Sequence, residues 1–408
     1  MQTLNLTKKY DKYPEYIDSG VKWLGEIPKD WKTKKLRHLF EIKKRIAGKT
    51  GFEILSITQQ GIKVKDTEKN EGQLSADYSK YQIVEKSDFA MNHMDLLTGF
   101  VDISNYSGVT SPDYRVFKSR DTKNIDKYFL YLLQIGYSRK IFYPHGRGAA
   151  QLGRWRLPTS EFNNFIFPVP SQVEQEKISK YLDEKVAIIN TVIEKKEKQI
   201  EFLKEEIVSI AMNEQMNTKG KTTRIGNLFK LADKPISLED YSEYTALGLY
   251  NRGRGLFHKD PQLGKDIKES DFYKVIPKDL IISGQFAWEG AVALAGEDES
   301  ECVVSHRYYL LRDGVIKTEY LLALLMTKFG NHILNESSRG SAGRNRPLNI
   351  KILLKEKIRV PSKEAEKKIE SLLIKMGSVR NNIKKSVKLL EEYKSSLISN
   401  VVTGKIKV

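Results

Sequence analysis

The sequence predicts a mixed α/β (α+β) protein: two similar tandem domains separated by two long helices packed as an antiparallel coiled coil, a pseudo-twofold internal repeat. The first observation behind this is that the chain says the same thing twice. Lys35-Leu36-Arg37-His38-Leu39-Phe40-Glu41-Ile42 returns as Arg224-Ile225-Gly226-Asn227-Leu228-Phe229-Lys230-Leu231. Arg147-Gly148-Ala149-Ala150, closing at Arg154, returns as Arg339-Gly340-Ser341-Ala342, closing at Arg346. A period of about 190 residues marks a duplicated domain, not a solenoid. The second observation is a pair of lysine-rich helical patterns, opened by Val169-Pro170-Ser171 and by Val360-Pro361-Ser362. The third is size: 408 residues, 40% hydrophobic and 30% charged, suffice for two or three domains with cores of their own.

Residues 1–170 read as the first domain. Phe52–Thr58, Tyr81–Val84, Phe89–Met91 and Arg115–Phe117 place β-branched and aromatic residues between turn signals, as strands do. Ile125 to Tyr137 has helical spacing at Phe129, Leu132 and Leu133, and Gly136 can end it. The sheet resumes near Phe162–Pro168. Residues 217–360 form the second domain: the polar linker Asn217-Thr218-Lys219-Gly220-Lys221 opens it, and residues 222–360 repeat the plan. Lys274–Ile276, Leu280–Ser283 and Tyr308–Leu311 are its strands, Glu319–Leu334 its helix, and Lys357–Val360 the closing strand.

Residues 171–216 form the first long helix, running from Ser171 to about Asn213. Ser171 caps it, with Glu174 reaching back to complete a capping box. Leu182, Val186, Ile189, Ile193, Ile200, Leu203, Ile207 and Ile210 recur at heptad spacing, and Lys196 is the one polar seam position. Roughly 43 residues at 1.5 Å each make a rod on the order of 60 Å long. Residues 361–408 hold the second helix, Ser362 to about Asn400, and a tail. Its seam is Ile369, Leu372, Met376, Val379, Ile383, Leu390, Tyr393 and Leu397, with Ser386 polar at the place of Lys196; Ala365 replaces the box glutamate. Neither seam is buried by its own domain, so the helices pack on each other.

A formal net charge of +17 favours a polyanionic partner through counterion release. Twenty Tyr, sixteen Phe and four Trp add stacking surface. The single cysteine, Cys302, excludes an internal disulfide and suits a reducing, cytoplasmic setting. The segment from Met1 to Tyr16 is polar and lacks a signal peptide's apolar core, and no apolar run approaches a membrane span.

Catalytic signatures are mostly absent. Gly48-Lys49-Thr50 and Gly220-Lys221-Thr222 end like phosphate loops, but Lys43 and Gln215 stand where the first glycine is required. No Asn/Asp-Pro-Pro-aromatic tetrapeptide of a methyltransferase occurs; Ser111-Pro112-Asp113-Tyr114 only echoes one, and Ser305-His306-Arg307-Tyr308 drops its Pro and Asp. Asp113, Asp121 and Lys123 formally match a Mg²⁺-dependent endonuclease pattern, which the second copy lacks. Six scattered histidines without metal-ligand spacing argue against zinc.

The positive signal is a repeated basic loop without acidic residues. It carries Arg147, Arg154, Trp155 and Arg156 in the first copy, and Arg339, Arg344, Asn345 and Arg346 in the second. Arginine's fork suits phosphate oxygens or the guanine edge. Gln59, Gln60, Asn92 and His93, with Arg252 and Arg254 in the second copy, offer further base-reading groups. Turn structure explains each of these last as well.

These residues carry a family resemblance over nearly the whole chain. Asp18-Ser19-Gly20-Val21-Lys22-Trp23-Leu24-Gly25-Glu26-Ile27-Pro28 with Trp31, Val169-Pro170-Ser171-Gln172-Val173-Glu174-Gln175, and Leu389-Leu390-Glu391-Glu392-Tyr393-Lys394-Ser395-Ser396-Leu397-Ile398-Ser399 with Val402-Thr403-Gly404-Lys405-Ile406 resemble the opening, central and closing segments of specificity subunits of type I restriction–modification enzymes. Met91-Asn92-His93-Met94 and Ser111-Pro112-Asp113-Tyr114 are similar to stretches of that family's target recognition domains. The resemblance implies a non-catalytic subunit whose two target recognition domains each read half of an interrupted double-stranded DNA site. It implies helices that set the gap and dock two methyltransferase subunits, which bring S-adenosylmethionine. Motor–nuclease subunits would add ATP- and Mg-dependent translocation and cleavage. The rivals are a self-contained nuclease and a coiled-coil scaffold whose globular ends bind proteins.

Overall fold

Four antiparallel strands in the order Phe40–Lys43, Arg115–Ser119, Phe89–Met91, Val101–Ile103 make the central sheet of the first half of the chain. The second half repeats the order with Lys230–Leu231, Tyr308–Arg312, Leu280–Ser283 and Val292–Leu294. Registers correspond: Phe117 faces Ile42 and Phe89, and Leu311 faces Leu231 and Leu280. The computed structural model describes residues 10–65, 77–148, 155–217, 220–232, 234–251, 253–267, 271–338, 340 and 346–408. It divides into two units, one running to Ile193 and resuming over Ser386–Val408, the other Glu194–Lys385.

Satellite strands repeat too. Lys32–Lys35 pairs with Ile166–Val169, and Thr222–Arg224 with Lys357–Arg359. The hairpin of Leu55–Thr58 and Gly61–Val64 has its counterpart in Leu247–Leu249 and Leu256–His258. Before the third sheet strand each unit turns tightly through a residue with positive φ, Ser87 in one and Lys278 in the other. A buried aspartate follows each. Asp88 accepts from Glu85 N at 2.8 Å and pairs with Arg45; Asp279 accepts from Ile276 N at 3.0 Å and from Arg312 Nε at 2.9 Å.

The helices Gln172–Met216 and Lys363–Val402 each pass through both units. Within the first unit, Ile178 and Leu182 share a core with Leu397, Val401 and Val402, and Lys394 Nζ donates to Asn190 Oδ1 at 3.1 Å. Within the second, Ile207 and Ala211 share a core with Ile369, Leu372 and Met376, and Glu206 pairs with Lys368 at 3.2 Å while Glu214 bonds Ser362. Residue numbers rise on one helix as they fall on the other, so the pair is antiparallel. Leu182, Ile189, Ile207, Leu372, Met376, Ile383 and Leu397 are buried; Val186, Ile193, Ile200, Leu203, Val379 and Leu390 are half-buried.

Four expectations need correction. The seams are not left wholly to each other, because the helix ends enter the domain cores. Glu174 does not close a capping box; Ser171 Oγ accepts from Glu174 N at 3.3 Å, but the carboxylate is taken by Trp31 Nε1 at 3.1 Å and by the Tyr13 hydroxyl. The stretch Glu319–Leu334 is two helices, Thr318–Leu325 and Lys328–Glu336, because Thr327 caps the second through Gly330 N at 3.0 Å. A Cβ on Gly330 would sit 2.1 Å from Leu324 O, so glycine permits the corner. Last, Thr159–Asn164 is a short helix before the closing strand.

Candidate nucleic-acid interface

In each unit three loops join into one face: the hairpin tip, the turn after the third sheet strand, and the basic hairpin. In the first unit the central turn runs from Asn92 to Phe100, closed by Asn92 N to Phe100 O at 2.9 Å. Asp95 stiffens it, its Oδ1 accepting from Leu97 N at 2.8 Å and Thr98 N at 3.2 Å. Leu157 N donates to His93 O and Leu96 N to Trp155 O, both at 2.9 Å, which fastens this turn to the basic hairpin. Gln59 Nε2 reaches Thr98 O at 3.5 Å from the hairpin tip, where Gln60 is exposed and bonds Lys63 Nζ at 2.6 Å.

The basic hairpin is pinned by reciprocal bonds between Arg147 and Arg156, at 2.8 and 3.1 Å. Both side chains are exposed, and Arg147 also meets Glu161 at 3.3 Å. Trp155 donates from Nε1 to Tyr143 O at 2.7 Å and lies beside the Tyr143 ring; a Cβ on Gly146 would strike that indole. Beneath lies Arg115, buried at 3% exposure, with Leu157 O and Thr159 Oγ1 each at 3.2 Å and the Phe162 ring 4.5 Å away. Burial lowers its pKa to about 10, still far above neutrality, so it is a fixed cation under the face. Burial, helped by Arg115 and Arg156, pushes the His93 imidazole down to about 3, and its Nδ1 has no partner. His93 is therefore neutral at physiological pH.

The second unit builds the same junction from other residues. Leu348 N donates to Gly284 O at 2.7 Å, and Gly253 N to Gly290 O at 2.8 Å; Asn251 bonds the Glu289 carboxylate. Arg346 lies over the Trp288 ring at 5.4 Å and Arg254 over Tyr250 at 5.2 Å, both in cation–π geometry. Arg154, Arg252, Arg339, Arg344 and Asn345 lie outside the described residues. Arg115 and Trp288 are not among the residues that the repeat and the basic loop single out. An arginine opening the apolar strand Arg115–Ser119, and a tryptophan between Gly284 and Gly290, were the available signals.

Asp113, Asp121 and Lys123 are exposed turn residues; Asp121 Oδ1 accepts from Lys123 N at 2.9 Å, an ordinary side-chain-capped turn. Among the described residues no group of three His, Cys, Asp or Glu could hold a metal ion, and no helix is long and apolar enough to cross a membrane.

Residues 28–202 match the family model for the type I restriction modification DNA specificity domain. A chain from a structure concerned with complex assembly and conformational transition of the type I R-M system is 11% identical, covering 92% of this chain and 98% of that one, with a TM-score of 0.56. That likeness shows a shared fold over nearly the whole length. The HsdS subunit from Thermoanaerobacter tengcongensis is 11% identical over 93% of this chain and 98% of its own, TM-score 0.41. The type I restriction-modification S subunit from M. genitalium is 14% identical over 91% and 96%, TM-score 0.42. No curated protein matches this chain.

Proposed function

We propose that this chain, which belongs to the type I restriction–modification specificity family, reads a divided stretch of duplex DNA, one half with each unit. Members of this family are the DNA-recognising, non-catalytic part of a larger restriction–modification complex, and this chain has that role. Residues 1–170 and 217–360 act as the two target recognition domains; residues 171–216 and 361–408 fix the unread gap. One observation carries the reading: the three-loop face occurs in both units, with Arg147 and Arg156 exposed on the first and Arg254 and Arg346 held over aromatic rings on the second. Duplication gives two readers, and different side chains on them give an asymmetric target. The helices are the docking surface for two methyltransferase subunits, which supply S-adenosylmethionine, and motor–nuclease subunits supply the ATP- and Mg-dependent steps.

Selection of bound duplexes from a random DNA pool tests this. The enriched molecules should share two short motifs at a fixed spacing, and binding should fall steeply with salt. A pool that stays random would overturn the reading. Arg147→Ala or Arg346→Ala should each weaken binding by about 1–3 kcal/mol if the side chain makes a bidentate base contact. Removing one seven-residue repeat from the central helix should change the spacing and leave both motifs alone. Plasmid cleavage with Mg²⁺ that Asp121→Ala abolishes would favour the nuclease instead.

A further inference from the structure

We infer that Phe286 is a stacking wedge that enters the DNA read by the second unit, unstacking a base step in that half-site only. The inference rests on the DNA-reading role proposed above. Phe286 stands at the tip of the turn after the third sheet strand and is 41% exposed, beside the equally exposed Tyr250 of the neighbouring hairpin tip. The turn beneath it is rigid. Ser283 Oγ accepts from Gln285 N at 3.3 Å and from Phe286 N at 3.1 Å, and Phe286 O accepts from Glu289 N at 3.0 Å and Ala291 N at 3.2 Å. Gly284 N is held by Arg307 O and Gly284 O by Leu348 N, each at 2.7 Å. An exposed phenyl on so constrained a base loses little freedom when it is inserted elsewhere.

Its surroundings specify the partner. Arg307 is exposed on the strand end that holds the turn. Arg346 reaches over Trp288 two residues along, and the tip of the neighbouring hairpin brings Arg254 over Tyr250. Cations interleaved with aromatic rings fit a nucleic acid, whose phosphates meet the first and whose bases meet the second. The first unit lacks the device. Its equivalent turn carries no exposed aromatic residue, since Phe100 at its close is half-buried, and its exposed apolar side chain, Leu97, lines a cleft of about 640 Å³ with Phe100, Val186, Asn190 and Ile398. Distortion is thus expected in one half of the site.

The test uses the full chain and the duplexes selected from the random pool. Permanganate, which oxidises unstacked thymines, should mark thymines in one motif of the bound duplex and none in the other. Phe286→Ala should abolish that reactivity and weaken binding about tenfold, the range expected for losing one stacked base. Phe286→Leu should keep the reactivity in part, because a branched aliphatic side chain still wedges. If the pool is enriched but Phe286→Ala binds equally well, or no thymine reacts when the motifs contain thymine on both strands, the wedge is wrong while the DNA-reading role stands. If nothing is enriched, the role itself fails. Reactivity shared equally by both motifs would also overturn the assignment to Phe286.

Discussion

The two units build one sheet from different side chains. In the first, Phe40, Phe89 and Phe117 pack ring to ring, with centroids 5.1 to 5.2 Å apart. In the second, the same register places Leu280 and Leu311 where Phe89 and Phe117 stand. Attachment of each domain to the long helices differs as well. The first unit uses tyrosines: Tyr128 lies with its hydroxyl 3.0 Å from Val402 O, and Tyr131 donates to Asp183 at 2.6 Å. The second uses ions: Lys278 meets Glu319 at 3.2 Å and Glu370 at 2.8 Å, and Lys317 also meets Glu370. Strand order is thus fixed by where apolar residues fall, and the chemistry filling those positions is free to drift.

Unit-resolved hydrogen exchange can break that comparison or sharpen it. The largest effect is expected from Phe117→Ala, about 4 kcal/mol, against about 3 kcal/mol for Leu311→Ala, since the bigger ring leaves the bigger void. Each loss should appear in the peptides of its own unit; a loss spread evenly over both would refute separate cores. Asp88→Ala and Asp279→Ala remove the carboxylate shared by the turn and its arginine, and each should cost about 3 kcal/mol. Unequal losses there would mean that the turns only look alike.

Smaller differences follow from the matched tyrosines. Tyr128→Phe should cost about 1 kcal/mol, because a buried hydroxyl loses its bond to a carbonyl. Tyr320 is equally buried but its hydroxyl has no partner, so Tyr320→Phe should be neutral or stabilising by thermal melting. The smallest expected effect is one of pH. Hydrogen bonds from Lys278 and Lys317 hold the Glu370 carboxyl below its ordinary 4.5. Its contribution is therefore complete above that value and is lost as pH falls through the lowered one. Asp126 in the first unit works the other way, because burial raises its pKa and acid favours its folded form. Helix-attachment peptides of the second unit should open first as pH drops below 4.5; simultaneous opening would remove the contrast.

Much of this was legible beforehand. The strands Phe89–Met91 and Leu280–Ser283 have the bounds that their apolar runs suggest, and Ser171 and Ser362 cap the helices they precede. Periodicity could not show the corner at Thr327, since apolar spacing runs on through it and only Gly330 signals the close approach. Nor could the basic loop reveal that Arg115 supports it from below, for that residue lies in a distant strand.

The sequence alone settled the duplication, the long helices and the positive charge, because these reside in local pattern and count. Tertiary structure decided which polar groups meet. Gln175 Oε1 accepts from Ile125 N at 3.0 Å, and Glu366 Oε2 from Lys317 N at 3.0 Å, one device made from two residue types. Ala365 leaves the second helix without its box glutamate, and Glu214, from the far end of the first helix, accepts from Ser362 N at 2.8 Å instead. A buried or capping polar group must find a partner, but which one it finds depends on segments that only folding brings within reach.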